Sequence, residues 1–447
     1  MSAPTARTTA HALGWVTAGS MTANACAYLV HLPASRWFSE AEYGEFAVVL
    51  AWLLVVAVPA LACQAVIARE AVRGVSDVAL RRFGLRLTVL VAVAALLVAP
   101  LVSIVADVGL GVVLPGVLIA PMLTLIATGQ GILQGRYRFR TLGVVLAITG
   151  VLRSAPMVAG VAAGLGVGGA LWAGLVGAAI AAGIVWLASR SVVPPGPDAG
   201  IPAVWTVVAA SQVQLALVVA SSLDLLISRT ALSETDAGVY AVGAVALKVA
   251  FWLPQAVGVV FYPRMADVRH TRQSVRGALV VVSAIGAVLI VAALAGSGVV
   301  PLVVGAKYDA VVGVLWLFTY TGVALSLLQV LLLATIAARR TRWSLIAWLV
   351  IAVEAVVILL AVDSVTGLIT VAAIAATVST FAYAVTFRFW APGAERAGPT
   401  NRAPGAERAG PIGWAPGAER DDAGDQREYA EQPGDQRDDP APDGLRP

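Results

Sequence analysis

Lysine, histidine and cysteine are nearly missing from this chain, and each scarcity removes a class of function. The two cysteines, Cys26 and Cys63, fall inside apolar runs without metal-ligand spacing, so neither a disulfide framework nor a thiolate metal centre is expected. The three histidines, His11, His31 and His270, are scattered, and no nucleophile and base or carboxylate cluster accompanies them. No G-x-x-x-x-G-K-[ST] loop is present to cradle nucleotide phosphates, which excludes direct drive by ATP. An integral glycan polymerase or ligase would need a sizeable polar outer loop, and the connections on that side reach only about a dozen residues. A protein that is not an enzyme, with no cofactor and no metal, is expected. Charge is scarce too: 13% of residues are charged, against about 25% in soluble domains.

Apolar length takes the place of charge. At 1.5 Å per residue, roughly 20 apolar residues cross a bilayer core of about 30 Å. Such stretches lie near 11–31, 44–67, 84–106, 110–132, 141–163, 167–188, 203–226, 238–261, 277–298, 312–336, 344–362 and 367–387. The pattern predicts an all-α polytopic membrane protein of about twelve transmembrane helices. The first stretch is interrupted by Thr17, Ser20, Thr22 and Asn24 and reads as a retained helix, not a signal peptide.

The basic residues that remain are distributed unevenly. Arg36, Arg229 and Lys307 lie on odd connections, whereas eighteen arginines lie on even connections or at the two ends of the membrane region. The positive-inside rule then puts both termini in the cytoplasm of a cytoplasmic (inner) membrane. These anchors account for most of the net charge of +4, so a nucleic-acid partner is not implied.

The chain also repeats. Ser39–Val48 aligns without gaps on Ser233–Val242 with five identities, and Pro59 and Pro254 follow at nearly the same depth. Six spans per copy is an even number, so both copies enter the membrane in one sense. Two six-helix lobes, 1–190 and 203–390, related by a pseudo-twofold along the membrane normal, are expected. The proline-rich segment 191–202 reads as a cytoplasmic linker. Residues 391–447 hold three copies of Ala-Pro-Gly-Ala-Glu-Arg at a period of twelve, a composition that predicts a disordered cytoplasmic tail.

Ionisable residues at membrane depth are costly and face a cavity or a partner. Arg153, about 18 Å into the fifth span, and Lys248, about 15 Å into the eighth, sit near the midplane, one in each half. Two cations on facing lobes suit an anionic ligand, because guanidinium and ammonium give charge-assisted hydrogen bonds to phosphate. The competing arrangement pairs Arg153 with Glu354 and Lys248 with Asp224 as structural ion pairs. Arg36, Asp224 and Glu354 are candidates for a gate or for ion coupling, although Asp224 also fits an interfacial carboxylate near the outer end of the seventh span. The amides Asn24, Gln64, Gln130, Gln134, Gln212, Gln214, Gln255 and Gln329 are expected to bond between helices.

Several segments carry a resemblance. Ala34–Gly44, Leu133–Phe139, the stretch from Asp224 through Gly238-Val239-Tyr240 to Tyr262-Pro263-Arg264, and Val304–Tyr308 occur in an order and spacing similar to the polysaccharide-export (Wzx-type) flippases of the multidrug/oligosaccharidyl-lipid/polysaccharide superfamily. The resemblance implies passage of a polyprenyl-pyrophosphate-linked oligosaccharide to the outer leaflet by alternating access, in a monomer embedded in membrane lipids and working beside glycan-assembly proteins. A cationic central cavity would receive the pyrophosphate, and Arg153 and Lys248 are assigned to it by depth and sign alone. Readings that stay open are a drug or cation antiporter of the same superfamily, a lipid II flippase, a membrane glycan polymerase or ligase, and a scaffold acting through the tail.

Overall fold

The computed structural model describes residues 6–106, 108–190, 202–267, 269–297 and 311–390. Among the described residues there are sixteen α-helices and no strands. The first half contains α1 (Ala6–Leu29), α2 (His31–Trp37), α3 (Glu40–Val56), α4 (Val58–Val72), α5 (Asp77–Ala106), α6 (Leu110–Gly135), α7 (Phe139–Ala162) and α8 (Gly166–Ala188). The second contains α9 (Val204–Ala220), α10 (Leu223–Ala231), α11 (Glu234–Trp252), α12 (Gln255–Ala266), α13 (Thr271–Gly296), α14 (Leu315–Ala337), α15 (Leu345–Ala361) and α16 (Val365–Trp390). Nine stretches among the described residues are long and apolar enough to cross a bilayer, and α9 is a shorter apolar helix. The chain is a multi-pass membrane protein of about twelve passes in two lobes, as its hydropathy predicts. The tail 391–447, most of the linker and the segment with Lys307 lie outside the described residues.

Four passes expected as continuous helices are broken, and the breaks recur at matching places in the two halves. The first pass is divided into α1 and α2, the second into α3 and α4, the seventh into α9 and α10, and the eighth into α11 and α12. Proline explains the second and eighth, since Pro59 and Pro254 have no N–H to continue the helix. The carbonyls released at Pro254 do not go unbonded. Ser326 of α14 donates its hydroxyl to Ala250 O at 3.3 Å and to Phe251 O at 3.0 Å.

The repeat is also legible in helix ends. Ser39 Oγ accepts the Glu42 N–H at 3.3 Å while the Glu42 carboxylate accepts the Ser39 N–H at 2.9 Å, and Ser233 Oγ likewise accepts the Asp236 N–H at 3.1 Å. Both are N-caps of the Ser-x-x-acid kind, each worth about 1 kcal/mol. After α6 and α14, Tyr137 and Arg339 both stand at φ 57°, closing equivalent turns through Arg138 N–H to Leu133 O and Arg340 N–H to Thr335 O, each 2.8 Å.

Inside the first half, small residues let backbones touch. A Cβ built on Gly19 would strike the Gly143 carbonyl, and one built on Gly150 would strike Ala23, so α1 and α7 pack at glycine distance. This contact sets the depth of Arg153, one turn beyond Gly150 on α7.

The halves meet mainly at the arginine-rich end of the bundle. There α4 packs on α9, α12 and α14, and α1 packs on α12. At the opposite end α3 packs on α6 and α8, while α10 and α11 pack on α14, α15 and α16 within their own half. The lobes are therefore joined at the arginine-rich end.

Gly150→Leu is expected to cost about 3 kcal/mol by overpacking against α1, lowering the thermal unfolding midpoint in detergent. Gly14→Leu, where an added Cβ meets nothing within 4 Å, should leave that midpoint in place.

Candidate functional site

Four of the five charged residues singled out by depth or position resolve into two different environments. The richer one lies at the break between α9 and α10. Ser221 and Ser222 interrupt the seventh pass, and Lys248 of α11 spans the interruption, donating to Ser221 O and, at 2.8 Å, to Ser222 Oγ. A broken helix at membrane depth needs such a partner for its free carbonyls. Lys248 thereby acts as a cap within its own half, and no salt bridge joins it to Asp224, although the two are close enough to interact electrostatically.

Asp224 is buried in protein. It is 3% exposed in the first turn of α10 and accepts a 2.5 Å hydrogen bond from Tyr240 Oη. Tyr240 is held in turn by an edge contact with Phe318, with ring centroids 5.0 Å apart. Glu354 of α15 is 6% exposed and within electrostatic reach of both Asp224 and Tyr240. It forms neither a hydrogen bond nor an ion pair among the described residues. Two buried acids and one phenol thus form a cluster between α10, α11 and α15, with the Lys248 ammonium within electrostatic reach of Asp224.

The other environment holds Arg153. It is half-buried on α7 beside Cys26 of α1, and its guanidinium has neither hydrogen bond nor ion pair among the described residues. The expected alternative, a pair with Glu354, is not formed. On the facing turn of α1, next to the Ala23 that touches Gly150, the Nδ2 of Asn24 is buried and has no partner. Among the described residues the Arg153 guanidinium on α7 and the Asn24 amide nitrogen on α1 are therefore both left without an acceptor. Arg36 lies apart from both environments, exposed at the end of α2.

A third cluster, at the arginine-rich end, escaped the sequence reading because its arginines were counted as topological anchors. Glu70 of α4 is 3% exposed, and its Oε1 receives Arg69 Nε at 2.8 Å and Arg339 Nη2 at 2.9 Å, with Arg73 Nη1 at 3.7 Å. Arg69, 1% exposed, also donates to Ile336 O at 2.8 Å. Nearby, Gln64 donates to Gln134 Oε1 at 3.0 Å and Gln134 donates to Val259 O at 2.8 Å. Both chains of bonds pass from the first half to the second. The adjacent Arg69-Glu70 pair inside an apolar helix was the available signal.

No protein-family model and no curated protein matches the chain. Among solved structures it is similar to an outward-facing conformation of a multidrug resistance MATE family transporter of the MOP superfamily, at 16% identity over 85% of this chain and 94% of that one, with a TM-score of 0.66. It is similar also to MATE in the straight conformation (15% identity, 86% and 95% covered, TM-score 0.67) and in the bent conformation (13%, 85% and 95%, TM-score 0.65). The chain has the fold of those proteins.

Tyr240→Phe strips a buried carboxylate of its donor and should cost about 1–3 kcal/mol. In an Asp224→Asn background the same change should cost much less, and thermal melts of the four proteins measure the coupling.

Proposed function

We propose that the protein is an alternating-access carrier that moves a polyprenyl-pyrophosphate-linked oligosaccharide across the cytoplasmic membrane. The observation that carries this reading is Arg153: a cation at membrane depth with no anion to meet it among the described residues. Stranding such a charge is expensive unless a ligand or water reaches it, and a diphosphate supplies acceptors matched to a guanidinium fork. On α1, Asn24 Nδ2 is a second buried donor without a partner, suited to a phosphate oxygen or a sugar hydroxyl.

Sidedness follows from the arginine bias, which assigns the joined end of the bundle to the cytoplasm. On that assignment the lobes are closed toward the cytoplasm, and rocking about the broken helices would open that side while closing the outer one. The fold shared with transporters supports a carrier over an enzyme, and the shortness of the outer connections supports it too.

The second half supplies a reading of coupling. Asp224 and Glu354 lie buried within electrostatic reach of each other without a guanidinium partner, an arrangement stabilised by protonation of one acid or by a monovalent cation. The same two acids favour one competing function, a drug or cation antiporter, because a cationic ligand is drawn to carboxylates and ring faces.

Full-length protein in liposomes distinguishes the two. Flipping of a polyprenyl-pyrophosphoryl disaccharide carrying a nitrobenzoxadiazole label, read by dithionite quenching, is expected, with no ethidium transport. Arg153→Gln should slow flipping by about 100-fold, the loss of one charge-assisted contact of roughly 3 kcal/mol, and Arg153→Lys should restore part of it. Ethidium transport without flipping would falsify the flippase and establish the antiporter.

A further inference from the structure

The cluster at the joined end holds more positive charge than closing the lobes requires. Three guanidiniums, those of Arg69, Arg73 and Arg339, surround a single carboxylate, and all three address the same oxygen, Glu70 Oε1. Together they offer about fifteen N–H groups. The acceptors they find are that one oxygen, Ile336 O at 2.8 Å and, at the limit of hydrogen bonding, Ala337 O at 3.5 Å. Arg69 Nη2 lies 2.7 Å from Oε1 yet outside hydrogen-bonding geometry, and it is buried without another acceptor.

Two further features set this cluster apart from an ordinary ion pair. Tyr262, on α12 of the other half, is 1% exposed with its hydroxyl unbonded, and it lies within electrostatic reach of Arg69, Glu70 and Arg73. Arg339 reaches Glu70 from a left-handed backbone position, φ 57°, where a side chain is disfavoured. The surplus of donors thus comes from both lobes, and it converges where a ligand entering from the cytoplasm would pass.

The geometry points to a recruiting site for a lipid-borne diphosphate formed by Arg69, Arg73, Arg339 and Tyr262, with Glu70 as the internal anion that fills it while the lobes are closed. On opening, Glu70 and the incoming diphosphate compete for the same guanidiniums, so ligand arrival and release of the lobe contact become one event. This rests on the flippase reading for its ligand, whereas the competition between Glu70 and an anion is read without any transport.

The test uses the full chain in phosphatidylcholine nanodiscs and two probes, inorganic pyrophosphate and geranylgeranyl pyrophosphate, titrated calorimetrically. Hydrogen exchange across residues 58–72 and 255–266 reports the lobe contact. Glu70→Gln and Arg339→Gln should both speed exchange there, because each removes the cross-lobe ion pair. Their effects on geranylgeranyl pyrophosphate should diverge: Glu70→Gln binds about tenfold tighter than wild type as the competing anion is lost, whereas Arg339→Gln binds no tighter because a ligand group is lost with it.

Equal shifts in affinity for the two variants, or no shift in either, would reduce the cluster to a closure and overturn the proposal. Gain for inorganic pyrophosphate alone would overturn its lipid-borne part. Arg339 is 53% exposed in its side chain, so that variant tests the lobe contact even if Glu70→Gln does not fold. Absence of flipping by the wild type, in the liposome assay, would instead remove the functional reading and leave the competition between Glu70 and pyrophosphate intact.

Discussion

A lipid interior offers no hydrogen bonds, so every helix that breaks within it must find replacement partners inside the protein. That constraint organises this molecule. The breaks fall in the first, second, seventh and eighth passes, and two of them are closed by side chains from neighbouring helices: Lys248 at Ser221, and Ser326 at Ala250 and Phe251. The four broken passes also supply most of the contacts between the halves, through α4 with α9 and α12 and α1 with α12, joined by α6 and α14.

Charge is divided between the halves in a way that follows from this packing. In the second half Lys248, Asp224, Tyr240 and Glu354 gather around one interruption, and the lysine is engaged by backbone. In the first half the α1–α7 seam is drawn tight by glycine, and Arg153 emerges from it with no partner. A carrier with this division would bind its anion on one lobe and its coupling ion on the other. Coupling would then pass through the shared contact at the arginine-rich end, where Glu70 links Arg69 to Arg339.

Much of this was legible before any coordinates. Twelve passes follow from apolar length, and the two-copy arrangement follows from Ser39–Val48 against Ser233–Val242, whose serines both prove to be helix caps. The arginine bias marks one face of the bundle. Other features were beyond sequence reasoning. Asp224 reads as lying near the outer end of its span by counting residues from the helix start, and only the fold shows that it is buried against Tyr240. Lys248 reads as a free cation by depth, and the same break consumes it. The Arg69-Glu70 pair stands out in its apolar helix, yet its role in joining the halves rests on Arg339, 269 positions later.

What the sequence alone determined are properties that depend on composition and period: span number, the repeat, the basic face and the presence of costly charges at depth. Tertiary structure decided which charges are spent and which are free, because that depends on contacts between residues far apart in the chain. A lysine and an arginine at similar depth both carry a large desolvation cost. Only packing reveals that one has a carbonyl to bond and the other has nothing.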